Sequence, residues 1–173
     1  MVQSRQKTVL FLCTGNYYRS RFAEILFDSV AGRTGLPWRA SSRGLALERG
    51  IGNVGPMAVA AIQALKTLGI RVVDEVARLP LPAAADDFER ADLVVALKEA
   101  EHLSLLQERF PTWVEKVEFW QVDDAPQALA LIEREVLDLV ARLIAGVRGE
   151  AQEAVRHGRD CQRLTDRDPG RQA

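Results

Sequence analysis

The sequence predicts a three-layer α/β/α domain: a four-stranded parallel sheet with helices on both faces. Three observations carry this. Short apolar runs alternate with helical patterns in the order β-α-β-α-β-α-β-α, and such alternation builds a parallel sheet covered on both sides. The runs at 7–13 and 91–97 are almost continuously apolar, as strands buried on two faces are. The chain has 173 residues, 47% hydrophobic and 27% charged, the make-up and length of one globular domain with a real core.

Taken in order, Val9, Leu10, Phe11 and Leu12 form the first strand, from Lys7 to Cys13, and Gly15-Asn16 closes it. Ser20 begins a helix through about Val30, with Phe22, Ile25, Leu26 and Val30 on one face. Gly32 to Pro37 reads as a turn and Trp38 to Ser42 as a short strand. Arg43 to Gly55 is a loop with Gly44, Gly50, Gly52 and Gly55, and long loops inside compact domains are often functional. Pro56 suits a first helical turn, and that helix runs to Leu68, where Gly69 ends it. Ile70 to Val73 reads as a brief extended segment, Leu79 to Ala85 as loop, and Asp87 to Arg90 as one helical turn. After the strand Ala91 to Leu97, a helix runs from Lys98 to Phe110 and Pro111 stops it. Val117 to Val122 is the last strand. Asp123-Asp124-Ala125-Pro126 then opens an amphipathic helix to about Val147, with Leu129, Ile132, Val136, Leu139, Val140 and Leu143 on one face. From Arg148 the chain turns polar and loses its large apolar residues. The expected organisation is a domain over 1–147 and a polar tail or helix extension over 148–173.

Composition excludes several classes of function. The net charge of −1 gives no bulk electrostatic case for nucleic acid or membrane surfaces. No apolar run approaches the roughly 20 residues of a membrane span, and Val9–Leu12 is too short for a signal-peptide core, so the expected location is cytoplasmic. The two cysteines, Cys13 and Cys161, make neither a disulfide framework nor a zinc spacing. His102, in a charged helix, is expected at the surface, and His157 falls in the tail. Trp113 and Trp120 read as packing residues.

One stretch organises the chemistry: Cys13-Thr14-Gly15-Asn16-Tyr17-Tyr18-Arg19-Ser20, between a strand and a helix. Thiols attack as thiolates, and a helix N-terminus or a neighbouring cation favours that form. The helix start and Arg19 supply both here. The same N–H groups and dipole bind a dianion. Gly15 lets backbone approach a ligand. Arg19 offers a planar fork for two phosphate oxygens. Ser20 can donate to the sulfur. The residues Thr14 to Tyr18 are enough to wrap one phosphate with inward N–H groups. A cysteine after a strand is usually a small buried hydrophobe, and Gly-Asn is usually a turn. It is the spacing Cys-x5-Arg-Ser, between strand and helix, that points to a loop in which Cys13 attacks phosphorus. Ligands in such sheets bind at strand carboxyl ends. Cys13 and the pair Asp123-Asp124 both stand there, so distance in sequence is compatible with closeness in space.

This loop resembles the signature loop of the low-molecular-weight protein tyrosine phosphatase family, and the resemblance extends over most of residues 7 to 147. It implies a phosphocysteine intermediate on Cys13 and an aspartate after the last strand that protonates the leaving oxygen and then activates water. No metal or cofactor is implied. The implied partner is a phosphorylated protein or a small phosphomonoester. Measured from Trp120 and Val122, Asp124 falls best on the family aspartate, with Asp123 the runner-up. Either can instead cap the following helix. Asn16 resembles the residue that holds the loop in shape. Ser42, in Ser41-Ser42-Arg43-Gly44, resembles the serine that braces it.

The chain departs from the family pattern at several places. Tyr18 stands where many members have a second cysteine that pairs with the first under oxidation. Tyr17 occupies the position that tunes the pocket mouth, and its bulk argues against a phosphoarginine specificity. Arg21 replaces the usual proline and adds positive charge near the helix start. The family's aromatic pair after Asp-Pro is absent, which leaves a pocket wall open or built from Leu45, Leu47 or Trp38. Two competing readings follow: an arsenate reductase on the same fold, which needs further cysteines, and a phosphate-binding module that has lost its acid.

Overall fold

The structure, a computed structural model, describes residues 5–165. Four strands form one sheet: β1 (Lys7–Cys13), β2 (Trp38–Gly44), β3 (Leu93–Ala96) and β4 (Val117–Phe119). Their order is β2-β1-β3-β4 and every pairing is parallel. The helices are α1 (Arg19–Thr34), α2 (Val59–Thr67), α3 (Ala85–Arg90), α4 (Glu99–Arg109) and α5 (Ala128–Thr165). The predicted fold class and alternation are those observed.

Strand alternation divides the core into two layers. Val9 and Phe11 face one way, into Phe22, Leu26 and Phe27 of α1 and Ile132, Val136 and Leu139 of α5. Leu10 and Leu12 face the other way, into Phe88 of α3 and Leu105 and Leu106 of α4. Phe11 meets Phe27 and Trp120 at ring-centroid distances of 5.9 and 5.6 Å. Full burial of such a side chain stabilises by about 1.5–3 kcal/mol, so the sheet is held from both sides.

The register sets up the site. Cys13 lies opposite Gly44, and Leu12 opposite Ala96. The carboxyl ends of β1, β2 and β3 therefore finish at one level. The Cys13 loop packs tightly there. A Cβ on Gly44 would come within 2.9 Å of Thr14 O and 3.1 Å of Asn16 N, both backbone atoms. Only glycine lets β2 end so close to the loop.

Several boundaries differ from the sequence reading. α1 continues through Gly32 and stops at Gly35, in a left-handed conformation with φ 69°. α2 begins at Val59, three residues past Pro56, because Gly55 (φ 80°) and the tether of Ala58 to Tyr17 hold the chain out of helix until then. Ile70 to Val73 pairs with no strand of the sheet, and Ile70 and Val72 are buried in the core. α5 begins only at Ala128, so neither Asp123 nor Asp124 caps it. It then runs past Val147 to Thr165 without a break. The side chains of His157 and Cys161, and residues 166–173 of the expected tail, lie outside the described part. No described helix is long and apolar enough to cross a membrane.

Candidate active site

β1 delivers Cys13, 3% exposed, to the floor of a cavity of about 240 Å³. The sulfur has two polar contacts. The Asn16 backbone N–H points to Sγ at 3.2 Å, and Ser20 Oγ lies 2.9 Å away. The loop can present these because Asn16 takes φ 49°, and asparagine is among the few residues that adopt this region readily. Tyr18 precedes α1 without a side-chain cap, so the first N–H groups of that helix are left for the loop and its ligand.

Behind the loop is a buried polar cluster. Asn16 Nδ2 donates to Ser20 Oγ (3.0 Å) and Ser42 Oγ (2.8 Å), and its Oδ1 accepts from the Leu81 N–H (3.0 Å) and Arg78 Nη1 (3.3 Å). Arg78 Nη2 donates to Glu24 Oε2 at 2.7 Å and to Ser42 Oγ at 3.2 Å, and Ser42 in turn donates to Glu24. Arg21 Nη1 donates to Arg78 O at 2.8 Å, and its Nε lies 3.6 Å from Glu24 Oε2. Asn16, Ser20 and Ser42 thus stand behind the cavity and do not line it. Arg21 is fully buried against Glu24 and adds no open charge at the helix start, contrary to the expectation from sequence. The glutamate three residues along the helix faces it and is shared with Arg78.

In front of the loop, Arg19 is 5% exposed. Its Nη2 donates to both carboxylate oxygens of Glu101 at 2.9 Å, its Nη1 to Val122 O at 3.1 Å, and its Nε lies 3.8 Å from Asp124 Oδ1. Thr14 Oγ1 also donates to Glu101. Two backbone bonds place the second aspartate here: Glu99 N–H to Trp120 O (3.2 Å) and Val122 N–H to Leu97 O (2.9 Å) stitch the segment after β4 to the start of α4. Asp124 lines the cavity, while Asp123 turns to Lys98, with Oδ1 2.7 Å from Nζ. Tyr17, Tyr18 and Gly15 also line it, and Arg49, Gly50 and Asn53 complete the wall. Leu45 and Trp38 are buried elsewhere and Leu47 lines a neighbouring cleft, so the wall is built from the polar tip of the glycine-rich loop instead. Desolvation pushes the Tyr18 phenol above its ordinary pKa, and the nearby Asp124 charge adds to this.

Sequence reasoning missed Glu101, Arg78, Glu24 and the site role of His102. His102 is fully buried, not at the surface. Its Nδ1 accepts the Lys98 backbone N–H at 3.0 Å, which leaves the proton on Nε2, 3.5 Å from Glu101 Oε1. That N–H, an electrostatic contact longer than an ordinary hydrogen bond, is the largest influence holding the Glu101 carboxyl below the usual carboxylate range. The Thr14 hydroxyl and Arg19 add to it, against desolvation. Burial lowers the His102 pKa, with Glu101 opposing. The signal for Glu101 was available: it stands just past the carboxyl end of β3, the same rule that located Cys13.

A parallel α/β sheet with a cysteine-floored, arginine-bearing loop at its carboxyl edge defines a class of hydrolase that works on oxyanions. Residues 8–143 match the family described as low molecular weight phosphotyrosine protein phosphatase, and the chain belongs to that family of enzymes. An arsenate reductase from Brevibacillus brevis is 33% identical over 119 residues, 69% of this chain and 77% of that protein. A protein-arginine-phosphatase from Bacillus subtilis is 33% identical over 109 residues, 63% of this chain and 67% of that one. The crystal structure of a low molecular weight protein tyrosine phosphatase from Streptococcus pyogenes superposes with a TM-score of 0.66 at 21% identity, covering 79% of this chain and 93% of that one.

Proposed function

We propose that the chain hydrolyses phosphomonoesters, with phosphotyrosine in proteins as the leading substrate, through a phosphocysteine intermediate. The observation that carries this reading is the setting of Cys13: Sγ on the cavity floor, with the Asn16 N–H and Ser20 Oγ aimed at it and Arg19 and Asp124 beside it. Cys13 Sγ forms a bond to phosphorus as the ester P–O bond breaks, and Asp124 gives its proton to the departing oxygen. Asp124, now a carboxylate, takes a proton from water. That water attacks phosphorus, the P–S bond breaks, and the thiolate leaves with the Ser20 hydroxyl to receive its charge. The amides of residues 14–18 and Arg19 hold the phosphoryl oxygens, so Arg19 must turn from Glu101 to the ligand. Asn16 and Ser42 keep the loop in shape. Asp123, paired with Lys98, has a supporting place. The domain needed for this chemistry ends near residue 147, and the outer part of α5 is an extension of it.

The test is turnover of an aryl phosphate. Cys13→Ser should abolish it. Asp124→Ala should lower kcat by about 10²–10⁴-fold, the usual worth of general acid help, and Asp123→Ala by much less. Equal turnover by wild type and Cys13→Ser would refute the mechanism. The arsenate-reductase reading is weaker because the chain holds only two cysteines, with the second at position 161 in the polar segment.

A further inference from the structure

The wall of the phosphate pocket formed by Gly15, Gly50 and Asn53 is also the wall of a second cleft. That cleft, of about 320 Å³, continues over Leu47, Leu79 and Pro80. The partition is thin: a Cβ on Gly50 would lie 2.7 Å from Asn53 Nδ2, and one on Gly15 3.4 Å from the same atom. The two segments forming the cleft also carry exposed apolar side chains, with Ile51 90%, Val54 82% and Leu79 67% accessible. Single exposed hydrophobes are ordinary, but several flanking a substrate pocket mark a binding surface. The wall is also held in place. Tyr17 Oη donates to Val54 O at 2.6 Å, and the Ala58 N–H donates to Tyr17 O at 3.1 Å. The tyrosine that sets this loop apart from its relatives therefore ties the 51–55 segment to the phosphate loop.

We infer that this cleft receives the apolar side chain next to the phosphorylated residue of a protein substrate. The inference rests on the phosphatase reading above and names the substrate class more closely. A residue whose phosphate sits on Cys13 has its own backbone at the pocket mouth. The neighbouring residue's Cα lies about 3.8 Å from that position, and where the chain bends at the mouth its side chain comes down over a cleft that shares three lining residues with the pocket. Leu47, Leu79 and Pro80 suit a leucine, valine or methionine. The Asn53 N–H donates to Gly50 O, but its side-chain amide makes no hydrogen bond among the described residues and can pair with the peptide backbone of such a segment. A small phosphomonoester has nothing to place there.

The experiment compares wild type and Leu79→Ser on an aryl phosphate and on phosphotyrosine peptides with leucine, alanine or aspartate on either side of the phosphotyrosine. Leu79 is exposed, so the substitution leaves the core intact. Wild type should favour a leucine-flanked peptide over its alanine counterpart by about tenfold in kcat/KM, the worth of partly burying such a side chain. Leu79→Ser should erase that ratio and leave aryl phosphate turnover unchanged. Equal kcat/KM whatever the flanking residue, or a preference that survives Leu79→Ser, would overturn the inference. So would a concentration-dependent dimer in sedimentation that Leu79→Ser dissociates while peptide preference stays flat, since a second copy then covers the cleft. Failure to turn over aryl phosphate refutes the phosphatase reading instead. The affinities of the same peptides, by calorimetry, then decide the cleft.

Discussion

Behind the loop, the side chains of Arg21, Glu24 and Arg78 are 1%, 19% and 28% exposed, whereas in front of it Glu101 and Asp124, 36% and 69% exposed, surround an Arg19 that is only 6% exposed. The rear cluster has two cations on one carboxylate, and it holds the loop through Asn16 and Ser42. Its charges have nowhere to go. The front group faces an open cavity, and its contacts must be exchanged when a dianion enters. Charge behind the loop therefore serves the fold, and charge in front serves the ligand.

The sharpest way to break this contrast is Glu24→Gln. It removes the carboxylate that Arg21 and Arg78 both face, and losing one partner of a buried pair costs about 3 kcal/mol. Urea unfolding should show that loss. A change within about 0.5 kcal/mol would mean that the rear cluster does not support the fold.

Glu101→Gln should act the other way round. Its stability cost is about 1 kcal/mol or less, because the pair is open to solvent. Inhibition by inorganic phosphate should tighten about fivefold, since one like charge is removed from beside the bound dianion. Weaker phosphate inhibition would show that Glu101 positions Arg19 productively and does not compete with the ligand.

The smallest effect belongs to His102. Burial holds its imidazole neutral, so the unfolded chain binds more protons as pH falls below about 6.5, the ordinary histidine value. Stability is full above that pH and declines as pH falls through it. His102→Asn keeps an acceptor for the Lys98 N–H and removes the titration, so its Tm should be flatter between pH 7 and 5. Below about 4.3 both proteins should lose stability further, because Glu101 is held below its ordinary range in the fold and becomes protonated more readily when unfolded. A parallel fall of both Tm curves between pH 7 and 5 would remove His102 from the account.

The contrast also explains what could be read from sequence. The sheet order of layers followed from apolar runs whose burial is a local property of the chain. That Cys13, Arg19 and Asp124 would come together at one cavity was legible because their spacing or strand-end position is itself the signal. The rear cluster was not: Arg21 and Arg78 lie far apart in sequence, and nothing in either neighbourhood says that a guanidinium there is buried. Arg21 looked like added surface charge only because Glu24's role was unseen. His102 was misplaced by the acidic residues around it. Its own spacing to Leu105 and Leu106, three and four positions on, puts it on the buried face of α4. The start of α5 was misjudged because an aspartate before a helix usually caps it, whereas here Asp123 and Asp124 are held to the α4 side of the site by backbone bonds between segments.

The shared level at which β1, β2 and β3 end has a consequence for how such an enzyme can diversify. Losing or gaining one residue inside β1 would turn Cys13 to the opposite face of the sheet and exchange the two cores. The connection between β2 and α2 carries no such restriction, for it contributes its wall from outside the register. Insertions there can remodel what the enzyme accepts while the reacting sulfur stays where it is, so preference for substrate and capacity for chemistry can evolve on separate parts of the chain.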